Sequence, residues 1–78
     1  MSVIMAEELR AGLILGDRDN DQYLYMPGSE IGSDDPVCIF EEHGNKTDLH
    51  LAEAVELAKR LTLKPTEHPV YGLSLIHI

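Results

Sequence analysis

The sequence predicts an α+β fold: a small antiparallel sheet of two to three strands with one amphipathic helix packed on one face, in the order β-β-β-α. Three observations carry this. A 3.6-residue apolar period runs over about residues 50–62. Upstream of it, the stretches 22–26 and 37–42 are alternating or β-branched, as strands are. Clusters of Gly, Pro, Asp and Asn at 16–21, 27–36 and 43–45 separate these runs.

Taken in chain order, residues 7–10 read as a short helical turn and residues 11–15 as a third strand, joined to the next through the polar turn 16–21. In 22–26, alternation places Leu24 and Met26 on one face and Tyr23 and Tyr25 on the other. Pro27 and Gly28 end this strand, and Gly28 to Pro36 reads as a loop. Val37 to Glu42 is apolar first and charged last, like a strand leaving a core. His43, Gly44 and Asn45 make a turn, and residues 46–49 extend a hairpin.

The helix puts Leu51, Ala54, Val55, Leu57, Ala58 and Leu61 in one arc, with Glu53, Glu56, Lys59 and Arg60 opposite. Glu56 stands at ion-pair spacing from both bases, which also suit the negative end of the helix dipole. Asp48, with Thr47 close behind, is the expected N-cap, and Pro65 forbids continuation much beyond Lys64. Residues 63–72 read as an exit strand or the start of a further part.

The chain of 78 residues has room for one domain. At this size only about 60% of the unfolded-state surface is buried, so the core is thin. Residues 1–72 are read as a single small acidic domain, and residues 73–78 are set apart. Leu73-Ser-Leu-Ile-His-Ile78 resembles a one-frame translation of the transposase end sequence used in sequencing adapters, and its alternation also mimics a strand. Under that reading, the chain up to Gly72 is the front part of a longer protein, with an enzyme among the forms it could take.

The one cysteine, Cys38, lies in an apolar run and reads as a buried small hydrophobe. A single unpaired cysteine fits a reducing, cytoplasmic compartment. The apolar stretch from Val3 to Ala6 is too short for a signal peptide and lacks a preceding positive charge. No run approaches the roughly 20 apolar residues that cross a bilayer.

Charge is the most informative property of the composition. The net formal charge is −8, from 14 acids and 6 bases, and residues 1–44 hold ten of those acids but only two of the bases. Direct binding to nucleic acid, which needs clustered Lys and Arg, is disfavoured, and a basic protein surface is attracted instead.

The candidate chemistry is sparse. Asp17, Asp19 and Asp21 stand at alternate positions, as in the first half of a calcium-binding EF-hand loop. That pattern then fails, with Gln22 in place of the turn glycine and Gly28 in place of the bidentate glutamate. A solvated turn explains the same residues. Setting aside His77 in the tail, the histidines His43, His50 and His68 match no zinc spacing. A nucleophilic pair of Cys38 with His43 or His50 lacks an orienting third group. Asp34 with Asp35 and Glu41 with Glu42 are adjacent in sequence, so on a strand they point to opposite faces rather than into one acid–base site.

No catalytic group, cofactor or metal is therefore expected. The expectation is a non-catalytic interaction or regulatory module with an acidic surface for a basic protein, such as a nucleic-acid-binding protein whose polyanion site it occupies. The partner-binding candidates are Tyr23, Tyr25, Asp34, Asp35, Glu41 and Glu42. The tyrosines are candidates if they lie on the exposed face, and core residues if they do not. A thin core and an open sheet edge also make a homodimer an option.

Overall fold

The computed structural model describes residues 2–66, with side chains from Met5 onward. The α+β class holds, but among the described residues the sheet has five strands, all antiparallel, and there are two α-helices. In chain order the elements are α1 (Ser2–Arg10), β1 (Leu15–Asp17), β2 (Gln22–Tyr25), β3 (Val37–Glu42), β4 (Asn45–His50), α2 (Leu51–Leu61) and β5 (Lys64–Pro65). Across the sheet the order is β4-β3-β2-β1-β5.

Four expectations need correction. The short turn at 7–10 is the end of a full helix, α1. The first strand lies at Leu15–Asp17 rather than 11–15, because α1 and its cap extend into that stretch. The hairpin extension is a six-residue strand, β4, fully paired with β3 from Val37–His50 to Glu42–Asn45. Thr47 and Asp48 belong to that ladder, so His50 is the N-cap of α2, its N–H bonded to the Glu53 carboxylate at 3.1 Å. The tail 73–78, and most of 63–72, lie outside the described residues.

Both helices end in the same way. At α1 the Leu13 N–H reaches Glu8 O at 3.0 Å and the Gly12 N–H reaches Leu9 O at 3.0 Å, with Gly12 at φ +90. At α2 the Leu63 N–H reaches Ala58 O at 2.9 Å and the Thr62 N–H reaches Lys59 O at 3.3 Å, with Thr62 at φ +56. Each is a Schellman motif, in which a left-handed residue turns the chain and satisfies the last carbonyls. The chain thus leaves α2 at Thr62, before Pro65 is reached, and Pro65 takes an edge-strand position opposite Leu15, where a missing N–H is tolerated.

Register explains the core. Leu15, Leu24 and Phe40 lie side by side on one face of the sheet, with Cys38 and Leu49 paired on the same face. Leu9 from α1 and Ala54, Val55 and Ala58 from α2 cover that face, together with Met26 and Leu63. The small residues on α2 allow the helix to approach the sheet closely. The opposite face carries a second, smaller cluster of Ile14, Tyr23 and Tyr25, with Ile39 packed against it.

Candidate functional site

A groove of about 500 Å³ opens where α1, the loop before β3 and the start of α2 meet. Its apolar walls come from Ala6, Pro36, Leu51, Ala52 and Val55, its charged groups are Arg10, Asp34, Asp35 and Glu56, and His50 adds an imidazole. Each wall has a local cause. Ala6 and Arg10 are four residues apart on α1 and so share a face. His50, Leu51 and Ala52 are the last residue of β4 and the first turn of α2, where the chain swings from sheet to helix.

Among the described residues, three side-chain hydrogen bonds hold the loop that delivers Asp34 and Asp35. The Glu30 carboxylate accepts from the Val37 N–H at 3.1 Å and so ties the loop to the start of β3. Arg10 Nη1 donates to Ser33 O at 3.5 Å and ties it to α1. The Asp35 N–H donates to Ser33 Oγ at 3.3 Å, closing a small turn. Asp35 then faces His50, with Oδ1 3.4 Å from Nδ1. Among the described residues Asp34 has neither a hydrogen-bond nor an ion-pair partner. Glu56 lies 3.7 Å from Lys59 on the same helix.

Glu41 and Glu42 are not part of this groove. They sit at the far end of β3, roughly 17 Å away at about 3.3 Å per strand residue. There they join the Asp-rich turn, because the register sets Asp17, Gln22, Glu42 and Asn45 in one row across the sheet. Glu42 accepts from Gln22 Nε2 at 2.8 Å, and Asp21 Oδ2 lies 3.9 Å from His43 Nδ1. Glu41 is flanked by Tyr23 and Lys46. Asp17 turns inward on its own loop, accepting from the Asp19 N–H at 3.1 Å and from Asn20 Nδ2 at 2.6 Å. Asp17, Asp19 and Asp21 therefore do not converge, and among the described residues no three His, Cys, Asp or Glu side chains are placed to hold a metal ion.

Of the two readings for the tyrosines, the core reading holds in this structure. Tyr23 is 5% exposed and Tyr25 2%, so neither ring is offered at the surface. Leu24 and Met26 are also fully buried. Alternation separates the two faces of β2, and both faces are covered.

Cys38 is fully buried on the helix face, and burial pushes its thiol up to about 11. Arg10 offsets that shift slightly and Glu30 adds to it. His50 pairs with Val37, one position away, and so lies on the other face of the sheet. His43 is at the opposite end of β3. Neither histidine can act as a base for this thiol in this arrangement. Among the described residues, no helix is long and apolar enough to cross a membrane.

The charged residues of the groove were legible in the sequence only for Asp34 and Asp35. Arg10, His50 and Glu56 carry no local signal, since their convergence depends on how α1 packs against α2. No family model matches this sequence, and no curated protein or solved structure is significantly similar to it.

Proposed function

We propose that this protein is a non-catalytic interaction module whose groove between α1, the 33–36 loop and α2 receives a basic side chain from a partner protein. The observation that carries this reading is the pairing of an apolar floor with a mainly acidic rim. Lys and Arg bury an aliphatic stem while keeping the charged head in a polar setting. Ala6, Pro36, Leu51 and Val55 suit the stem, and Asp34, Asp35 and Glu56 suit the head. The groove's own cation, Arg10, donates one hydrogen bond to the Ser33 carbonyl and keeps its charge, which the three carboxylates of the rim outnumber. Asp34 and Asp35 are exposed, so the charge is available without refolding.

The chain's net charge of −8 adds long-range attraction toward a basic partner, which raises association rate more than final affinity. The protonated, buried state of Cys38 is in keeping with a cytoplasmic, reducing setting.

The test is fluorescence anisotropy with a labelled peptide in which lysines alternate with leucines. The expected result is saturable binding that weakens as ionic strength rises from about 0.05 to 0.3 M, and roughly tenfold weaker binding in the Asp34→Asn/Asp35→Asn double variant. Binding that the double variant retains in full would sink the assignment of this groove.

A further inference from the structure

The outer edge of β4 has no partner strand among the described residues, since β4 ends the sheet. What this edge presents follows from the hairpin that builds it. His43 and Gly44 both have positive φ, +52 and +85, the mark of a two-residue type I′ turn. Such a turn is closed by a hydrogen-bonded pair, here Glu42 and Asn45. The His43 N–H points the other way, to Asp21 O at 3.1 Å, as alternation along β3 requires. The backbone groups of Asn45, Thr47 and Leu49 therefore face β3, and those of Lys46, Asp48 and His50 face outward.

Side chains follow the same alternation. Thr47 pairs with Phe40 and so lies on the helix face, while Lys46 and Asp48 lie on the tyrosine face. Lys46, Thr47 and Asp48 are all exposed. Lys46 stands opposite Glu41 within the chain, but Asp48 stands opposite Ile39 and has no ion-pair partner among the described residues.

An outward-facing strand can pair antiparallel with its own copy about a two-fold axis in few registers. Pairing Lys46 with Lys46 or Asp48 with Asp48 sets like charges directly opposite, which destabilises a sheet. Centring the axis on Thr47 sets Lys46 against Asp48 of the second copy, and the symmetry repeats that pair. A charged edge ordinarily discourages pairing. Here the Lys-Thr-Asp triplet repels the two adjacent registers and is complementary to itself in this one.

A second feature lies on the same edge. Leu49 and Leu57 are only half-buried and line a groove of about 410 Å³ between β4 and α2, on the face where a second copy's sheet would continue. We propose that β4 pairs with β4 of a second copy of this chain, in the register centred on Thr47, to give one continuous ten-stranded sheet with all helices on one face. The two grooves share Ala52 and Glu56 on α2, but Lys46, Thr47 and Asp48 line neither, so strand pairing and the basic-partner groove can fail separately.

Sedimentation equilibrium at moderate salt tests it, with salt present to screen the −8 charge of each copy. Wild type is expected to show a concentration-dependent monomer–dimer equilibrium. Lys46→Asp and Asp48→Lys each set like charges opposite one another twice, and each is expected to weaken the dimer by roughly tenfold or more. The exchange variant carrying both substitutions restores complementarity and is expected to restore the dimer. Circular dichroism checks that these surface variants remain folded. A wild type that stays monomeric at the highest concentration would overturn the proposal. So would single variants that dimerise as wild type does, or an exchange variant that stays as weak as the singles.

Discussion

Adding one methyl group at Gly16 is expected to be among the most damaging small changes this protein can suffer. Gly16 lies on β1 between Tyr23 on β2 and Lys64 on β5. A Cβ there would come within 2.5 Å of Gln22 O, 3.0 Å of Thr66 Cγ2 and 3.0 Å of Tyr23 Cδ1. The first of these is backbone in the adjacent strand, so it cannot rotate away, and relief requires the strands to part. Overpacking of this kind costs about 1–3 kcal/mol, and a fixed backbone oxygen argues for the upper end. For a domain of this size each kcal/mol shifts the melting temperature by about 4–8 °C, so Gly16→Ala is expected to lose roughly 12–24 °C. Thermal melts followed by circular dichroism would measure it against two controls. A Cβ at Gly28 meets nothing within 4 Å, and Gly28→Ala should stay within about 0.5 kcal/mol of wild type. Gly44 is equally open but has φ +85, so Gly44→Ala should cost about 1–2 kcal/mol through backbone strain alone. Gly16→Ala melting within a few degrees of wild type, or above Gly44→Ala, would refute the packing of β1 between β2 and β5.

Further substitutions test other parts of the structure. Thr62 is exposed, β-branched and left-handed at φ +56, so Thr62→Gly should raise stability by about 1 kcal/mol in urea denaturation, contrary to the usual effect of glycine. Leu9 on α1 is fully buried against α2 and the sheet, and Leu9→Ala should cost about 2–5 kcal/mol by the same assay; a negligible cost would mean that α1 does not dock. The Cys38 thiol, raised from 9.0 to about 11, should resist thiol reagents at neutral pH in the native state and react on unfolding. Its protonated form is favoured by folding, so its contribution is fully present below pH 9 and is lost as pH rises toward about 11. Wild type should therefore lose stability over that window more steeply than Cys38→Ala.

The elements legible in the sequence were those with a strong period and a buried side. β3 spans Val37–Glu42 as its β-branched and aromatic content implies, and α2 lies within one residue of its amphipathic arc. The strands that were misplaced, or read only as part of another stretch, lack such a signal for physical reasons. β4 reads Asn-Lys-Thr-Asp-Leu-His because it is an edge strand with almost no core side. β1 is three residues with a glycine at its centre, where the Gln22 carbonyl oxygen, with Thr66 and Tyr23 beside it, takes the space a side chain would fill. β5 is two residues, one of them proline. For the candidate groove, local pattern reached Asp34 and Asp35 as charged loop residues and went no further. It grouped them with Glu41 and Glu42 on charge alone, whereas those two lie at the far end of the six-residue strand that Asp34 and Asp35 precede.

That separation makes the central claim accessible to a single experiment, the mapping of amide chemical-shift changes as the lysine–leucine peptide is titrated into labelled protein. Changes are expected to concentrate at Ala6 and Arg10, across 33–36, and over His50–Glu56. Changes centred instead on the Asp17–Asp21 turn and the Glu41–Gly44 hairpin, or no saturable change at any residue, would contradict that claim.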